Sequence, residues 1–416
     1  MKKYDVVIAG GGFAGASAAL AAKREGASVL IVEKGNSLGG AAVNCLVNPF
    51  MPFSTKINGQ ETKLCGEIFN KICEKLQERN ALKYLSFLEE ELKYILNNMV
   101  CDAGIDILFH AYVFGLHKEN EYIKSISLAT RGGNMDIEAD YFIDATGDAQ
   151  IAYLAACPFV LGREADNLCQ PMTLCFRLGN VDVDRFMSDF EGLQELYCQA
   201  RGNNEISNPR ENILVFRTPA PNVLHFNTTR VVKLNPTDPK DVTSAEIIAR
   251  KQVHEIYEFM KKHAKGLENS FLMMTASEIG VRESRKIIGD YVLTENDCRA
   301  CTKFDDSVVA CNYDIDIHNP EGSGTSHYYF REGEYYTIPY RCLIPQGVKN
   351  MLVAGRCISS DHGAQASYRI MPTVSSIGEA AGTAVGIAMK NHTDFRGINV
   401  KELQNSLKRY NTFVGI

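Results

Sequence analysis

Val6-Val7-Ile8-Ala9-Gly10-Gly11-Gly12-Phe13-Ala14-Gly15 decides the fold. The β-branched run from Tyr4 to Ala9 reads as a buried strand. The Ala-rich stretch Ala14 to Arg24 reads as a helix that Gly26 closes. Ala27 to Val32 reads as a second strand, so the opening is a βαβ unit, which builds a parallel sheet. Between strand and helix, Gly10 to Gly15 fits the G-x-G-x-x-G spacing. Gly10 permits the tight turn, Gly12 lets a pyrophosphate approach the backbone, and Gly15 lets the helix pack close to the strand. The free N–H groups at the helix start attract phosphate oxygens. Glu33 ends the second strand 33 − 15 = 18 positions after the last glycine. Its carboxylate suits ribose hydroxyls and disfavours a 2′-phosphate. The stretch therefore predicts a dinucleotide site.

The rest of the composition narrows the class. The chain has 416 residues, 44 basic against 50 acidic, for a net charge of −6. With 45% apolar and 23% charged residues it is an ordinary globular sequence, not a disordered, collagen-like or coiled-coil one. At roughly 150 residues per domain, two or three folded units are expected. The mild acidity argues against a nucleic-acid partner. Thirteen scattered cysteines, an odd number, read as reduced thiols, which points to the cytoplasm. Lys2-Lys3 and Ala19-Leu20-Ala21 imitate a signal peptide, but Asp5 interrupts the apolar run. No uninterrupted apolar stretch reaches the ~18 residues of a membrane span, so no membrane partner is expected.

Further along, Glu67 to Leu76 and Leu88 to Cys101 have helical spacing. Ile105 to Phe109, Val113 to Leu116, Ile123 to Thr130 and Met135 to Asp144 read as strands, the last two joined through Gly132-Gly133-Asn134. They predict a small antiparallel meander over about 105–143. From Leu161 to Pro345 the texture shifts to short strands, Pro-rich turns and one amphipathic helix, Ala245 to Lys262. Gly/Ala-rich α/β texture returns at Met351. The expected organisation is a nucleotide-binding first part over 1–160, an inserted domain over 161–345, a closing part over 346–390, and a C-terminal helix and tail over 391–416.

Asp144-Ala145-Thr146-Gly147-Asp148 follows a strand; Met351-Leu352-Val353-Ala354-Gly355-Arg356 is another strand ending in glycine, followed by Asp361. A helix rich in small residues, with Gly378-Glu379-Ala380-Ala381-Gly382, comes next. On these segments the chain resembles flavoproteins of the glutathione-reductase-type FAD fold. The resemblance implies an α/β fold, a Rossmann-type FAD-binding domain with an inserted α+β substrate domain, and FAD as cofactor. It implies cofactor contacts from Gly10, Gly12, Phe13, Ala14 and Gly15, from Glu33 and Lys34, and from Gly39, Gly40, Ala41, Asn44 and Cys45. Val113 would contact the cofactor as well, and Ala145, Thr146, Gly147 and Asp148 would pass near the adenosine half. Gly355 and Arg356 would contact the cofactor, Asp361 would hold the ribityl–pyrophosphate region, and Met371, Pro372 and Thr373 would open a helix aimed at the flavin.

Arg282-Glu283-Ser284-Arg285, Ile288-Gly289-Asp290-Tyr291 and Ile338-Pro339-Tyr340-Arg341 narrow the resemblance to the bacterial FAD-dependent oxidoreductase family, grouped with heterodisulfide reductase A-like flavoproteins. Two departures stand out. Gly39-Gly40 is followed by a single cysteine, Cys45, and one sulfur cannot cycle a disulfide. Cys298-Arg299-Ala300-Cys301, with Cys311 beyond, does not make a 4Fe–4S run, and no metal is expected.

No second G-x-G-x-x-G follows a strand, so no nicotinamide domain is expected. Electrons would come from the substrate, a redox partner protein or transiently lodged NAD(P)H. The expected activity is FAD-dependent oxidation or reduction of a small organic substrate, an anionic one, by hydride transfer. The alternative is an electron-transfer flavoprotein that works within a complex, beside an iron–sulfur partner. Arg282, Arg285, Arg341 and Arg369 are candidates for binding a carboxylate. His318, His362 and Tyr340 are candidates for moving the proton. Position predicts Arg341 and His318 acting together at the flavin face, with His362 as the competing proton carrier.

Overall fold

The computed structural model describes residues 3–416. Its central sheet is built from β1 (Tyr4–Ala9), which runs through the glycine turn into α1 (Phe13–Arg24), and β2 (Val29–Val32). β3 (Asp106–Leu108), β4 (Tyr112–Glu119), β5 (Tyr122–Thr130) and β6 (Gly133–Asp144) follow, and β7 (Met351–Val353) returns from far along the chain. The parallel part has the order β3-β2-β1-β6-β7, with Val6 opposite Val29, Val7 opposite Phe142 and Phe142 opposite Met351. β1 ends in four buried residues, as expected of a strand covered on both faces.

β6 does two jobs. Gly133 to Glu138 pairs antiparallel with β5, where burial alternates; Ala139 to Asp144 then slots parallel beside β1. The expected meander β4-β5-β6 therefore grows directly out of the parallel sheet.

α2 (Met371–Asn391) is buried from Met371 to Ala388 and lies along α1. Gly378, Gly382 and Gly386 recur every four residues on one face, and a Cβ on any of them would overlap Ala14 O, Ala18 O or the Glu25 side chain. The two helices thus meet almost backbone to backbone, pinned by Ser17 Oγ and Ser375 Oγ at 2.7 Å. Gly378→Ala would gain up to about 1 kcal/mol of helix propensity at an open site. Here the obstacle is backbone, which cannot swing aside, so a net loss of about 1–3 kcal/mol is expected in chemical denaturation. An unchanged unfolding midpoint would mean that the helices have room to spare.

The second core collects side chains from Met172 to Ile279, with Leu46. It holds a four-stranded antiparallel sheet in the order Val215–Arg217, Leu224–Phe226, Phe176–Gly179, Phe271–Thr275. Helix Pro239–His263 packs on it through Ala245, Ala249, Val253, Ile256 and Met260. Buried side chains from Ile287 to Leu343 join the first core instead. The packing thus separates near 281–287, whereas the sequence texture extends the insertion to 345. The reason lies in pairing: Ser307–Cys311 joins Tyr336–Pro339, and this ribbon touches α2 through Thr373 Oγ1 and Cys311 Sγ at 3.4 Å. All thirteen cysteines are free. Among the described residues no helix is long and apolar enough to cross a membrane.

Candidate functional site

The site begins where β1 turns into α1. Gly10 has φ +97°, and a Cβ there would overlap Ala145 O. Gly15 lies against Gly10 O in the same way. Gly12, the N-cap of α1, differs: a Cβ on it would meet only Gly40 Cα, at 3.8 Å. It faces an open groove. The opposite wall is the turn Gly39-Gly40, tied down by Gly39 N–H donating to Gly11 O at 2.8 Å. Gly40 has φ +53°, and a Cβ there would lie 2.8 Å from Gly12 Cα. Ala41 and Asn44 continue as a short helix, and Cys45 ends it.

Glu33 supports this loop. It is buried, and its carboxylate accepts Gly11 N–H at 2.6 Å and Gly35 N–H at 2.7 Å. Ala111 N–H donates to Glu33 O, which brings Val113 alongside, buried. Lys34 Nζ pairs with Glu278 at 2.9 Å across the groove mouth.

The far wall is the turn after β6. Asp144 is fully buried and accepts Thr146 Oγ1 at 2.7 Å and Ala152 N–H at 2.9 Å, which fixes Ala145 to Asp148 in place. Asp148 accepts Arg356 Nη2 at 2.7 Å and Ser284 Oγ at 2.6 Å. Burial opposes its ionisation, but the Arg356 charge and the Ser284 hydroxyl outweigh burial and hold the carboxyl below its ordinary range. Arg356 lies over Gly147 and keeps its Nε buried without a partner. Gly355 packs on Ala14.

Three expected cofactor residues do other work in this structure: Glu33, whose two oxygens hold Gly11 and Gly35 N–H, and Asp361 and Cys45. Asp361 caps helix His362–Tyr368: one oxygen accepts Ala364 N–H at 2.7 Å and the other accepts Glu295 N–H at 2.8 Å. Both oxygens are used by backbone, so the ionic contact in this wall comes from Arg356 and Asp148. Cys45 is buried and donates to Ile279 O at 3.6 Å; burial pushes its thiol up to about 12, so it stays a protonated packing group. α2 opens at Met371-Pro372-Thr373 without a side-chain cap, which leaves the positive end of its dipole free. A Cβ-free groove, an uncapped α1 start and the partnerless Arg356 Nε together fit an anionic dinucleotide backbone.

A second lattice stands beside the groove. His362 Nδ1 lies 2.8 Å from Glu283 Oε2, and its buried Nε2 has no partner. Glu283 also accepts Gln170 N–H at 3.0 Å and Lys286 Nζ. Gln170 accepts His318 N–H at 3.4 Å and donates to Gln365 Oε1 at 3.1 Å; Gln365 donates to Arg282 O at 2.8 Å. His318, His362 and Arg282 therefore share one network. Arg282 donates to Pro171 O at 2.7 Å, to Thr173 Oγ1, and to Asn227 Oδ1 at 3.3 Å.

His318 is not the expected proton carrier. Its Nδ1 lies 3.0 Å from Arg230 Nη2 and its Nε2 lies 3.3 Å from Asp316 Oδ2. Burial, reinforced by Arg282, pushes its pKa down to about 3, so it remains neutral through the working range. Arg341 and Tyr340 do not reach this network either. Arg341 is half-exposed, forks onto Asp306 at 2.9 and 3.2 Å, and covers the Tyr291 ring at 5.0 Å. Tyr340 is buried and its hydroxyl donates to Phe395 O at 3.1 Å. The 3₁₀ turn Tyr340–Leu343 sends both away. Arg285 goes to the groove instead: it donates to Asp148 O at 3.2 Å and stacks 4.1 Å over Tyr153.

The sheet order, glycine groove and closing helix define a Rossmann-type flavoprotein architecture. The sequence matches the FAD dependent oxidoreductase family over residues 5–407, and the chain belongs to that family. It is an FAD-dependent oxidoreductase, with FAD as cofactor. It is 30% identical over 198 residues to digeranylgeranylglycerophospholipid reductase 1 of Methanococcoides burtonii, a match spanning 44% of this chain and 46% of that protein. The chain thus spans about half the length of this curated relative. A geranylgeranyl bacteriochlorophyll reductase-like protein from Thermoplasma acidophilum superposes with a TM-score of 0.50 at 14% identity, covering 98% of this chain and 84% of that one. The p-nitrophenol 4-monooxygenase of Pseudomonas putida gives 0.47 at 12% identity, covering 99% and 86%.

Proposed function

We propose that this enzyme transfers a hydride between FAD and a small organic substrate held by the lattice around Arg282, with His362 handling the accompanying proton. The observation that carries this reading is adjacency. The groove wall at Cys45 touches Ile279 and Gly280; Gly280 N–H donates to Thr173 O at 2.7 Å, and Thr173 accepts Arg282. Cofactor groove and polar lattice are thus two sides of one thin wall.

Bound FAD supplies the two-electron chemistry. The chain's own groups do the rest. The uncapped α1 and α2 N-termini favour negative charge, each by roughly 0.3–2 kcal/mol. Glu283 fixes the His362 ring through Nδ1, which leaves Nε2 to take or give a proton. Neutral His318 keeps Arg230 and Asp316 in place.

The test is anaerobic bleaching of the yellow protein by a panel of small carboxylic acids, enones and polyols, followed by reoxidation. One compound of the panel should bleach the flavin in a saturable way. NADPH alone should bleach it slowly, because FAD takes the one G-x-G-x-x-G loop that follows a strand and no second such loop is present to hold a nicotinamide dinucleotide. Reduction only in the presence of an iron–sulfur protein would replace this reading with that of an electron-transfer flavoprotein.

A further inference from the structure

Four guanidiniums converge beside the lattice. Arg230 is almost completely buried; it pairs with Glu211 at 2.9 Å and reaches His318 at 3.0 Å. Arg369, two residues before α2 begins, lies 3.6 Å from Asp316. Arg210 and Arg282 have no carboxylate within ion-pair distance among the described residues. The carboxylates that act on this group are Glu211 and Asp316, two against four positive charges. Asp314 is taken up by His327 at 2.7 Å.

Buried charges are ordinarily paired, because an unpaired one loses hydration with nothing in return. Here the pairing is incomplete in two visible places. Arg210 is 4% exposed and its Nη1 has no partner; Arg369 Nε is also buried and partnerless. The strain shows on Arg282: burial, with Arg369, Arg210 and Arg230 beside it, pulls its pKa down to about 9.

We infer that Arg210, Arg282 and Arg369 form the binding site for a carboxylate group of the substrate. The inference rests on the hydride-transfer reading above and names the chemical class its substrate must carry. A carboxylate supplies the missing negative charge, and its two oxygens match the planar fork of a guanidinium. Arg282 and Arg369 are only partly covered, so the ligand enters on their side, while Arg210 and Arg230 close the back. The arrangement is also selective. An uncharged amide of the same shape leaves the excess positive charge unanswered and is held poorly.

The experiment is isothermal calorimetry of the purified holoprotein with succinate, succinamide and inorganic phosphate, with FAD content measured separately by absorbance. Succinate should bind in a saturable, salt-sensitive way, and succinamide should not. Arg369→Gln and Arg282→Gln should each weaken succinate by roughly 10–100-fold while FAD stays bound, one charged hydrogen bond being lost in each. Arg210→Gln should do the same; if it fails to fold, the two partly covered positions still decide. Equal binding of succinate and succinamide, or succinate binding that survives both Arg369→Gln and Arg282→Gln, overturns the carboxylate site. Phosphate binding without succinate binding overturns it as well. Succinate that binds as expected, with no compound of the panel bleaching the flavin of the same holoprotein, leaves the arginine site standing and removes the hydride-transfer reading.

Discussion

Gly12→Leu is expected to give a folded, colourless protein. Gly12 has φ −68° and ψ −175°, an extended conformation open to any residue, and its Cβ would find only Gly40 Cα at 3.8 Å. The substitution therefore costs the fold little. The leucine side chain, however, fills the space in which the backbone meets the pyrophosphate. Losing two hydrogen bonds to a charged group costs about 3–6 kcal/mol, or ~10²–10⁴ in FAD affinity. Flavin absorbance relative to protein after gel filtration, with circular dichroism as the check on folding, reads the result. A folded variant with full FAD would move the phosphate site elsewhere. Gly15→Leu is the contrast: its Cβ overlaps Gly10 O, so that variant should lose the fold itself.

The second large effect is expected at His362. His362→Asn should lower turnover by ~10²–10⁴ with FAD retained, because asparagine still donates to Glu283 but offers no ring nitrogen to take or give the proton. His318→Asn should instead leave the pH profile of turnover in place, since a histidine with a pKa near 3 does not titrate in the working range. Turnover and its pH dependence in the two variants separate the roles. Loss of the profile in His318→Asn, with near-native turnover in His362→Asn, would exchange them. Glu283→Gln is a poor probe, because it strands buried Lys286 without its carboxylate, at a cost of about 3–5 kcal/mol.

The nucleotide half is legible in the sequence because its signals are local. A β-branched run, four glycines and an Ala-rich stretch lie within Tyr4 to Arg24 and specify strand, turn and helix directly. The arginine pole is half legible. Arg282 and Arg369 stand out by type, but Arg210, Arg230, Asp316, Gln170 and Gln365 come from separate segments that only the tertiary fold brings together. The pairing of Arg341 with His318 rests on chain position alone, and a 3₁₀ turn is enough to point Arg341 at Asp306. Asp361 carries a readable signal that competes with a ribityl role. An Asp directly before an Ala-rich stretch is an N-cap, and that is what its side chain does. The end of the insertion is hidden because the ribbon Ser307–Cys311 and Tyr336–Pro339 has the same strand-and-turn texture as the second core while packing on the first.

The glycine face of α2 also sets a timetable. Ala14 meets Gly378, and 378 − 14 = 364 positions of chain are synthesised between them. At ~5–20 residues per second the ribosome releases α1 many seconds before the helix that backs it. During that interval the phosphate loop has sequence but no support, and its strand lacks β7 on the far side of β6. The pigment therefore waits for α2: a nascent chain halted before that helix should be unable to take up flavin.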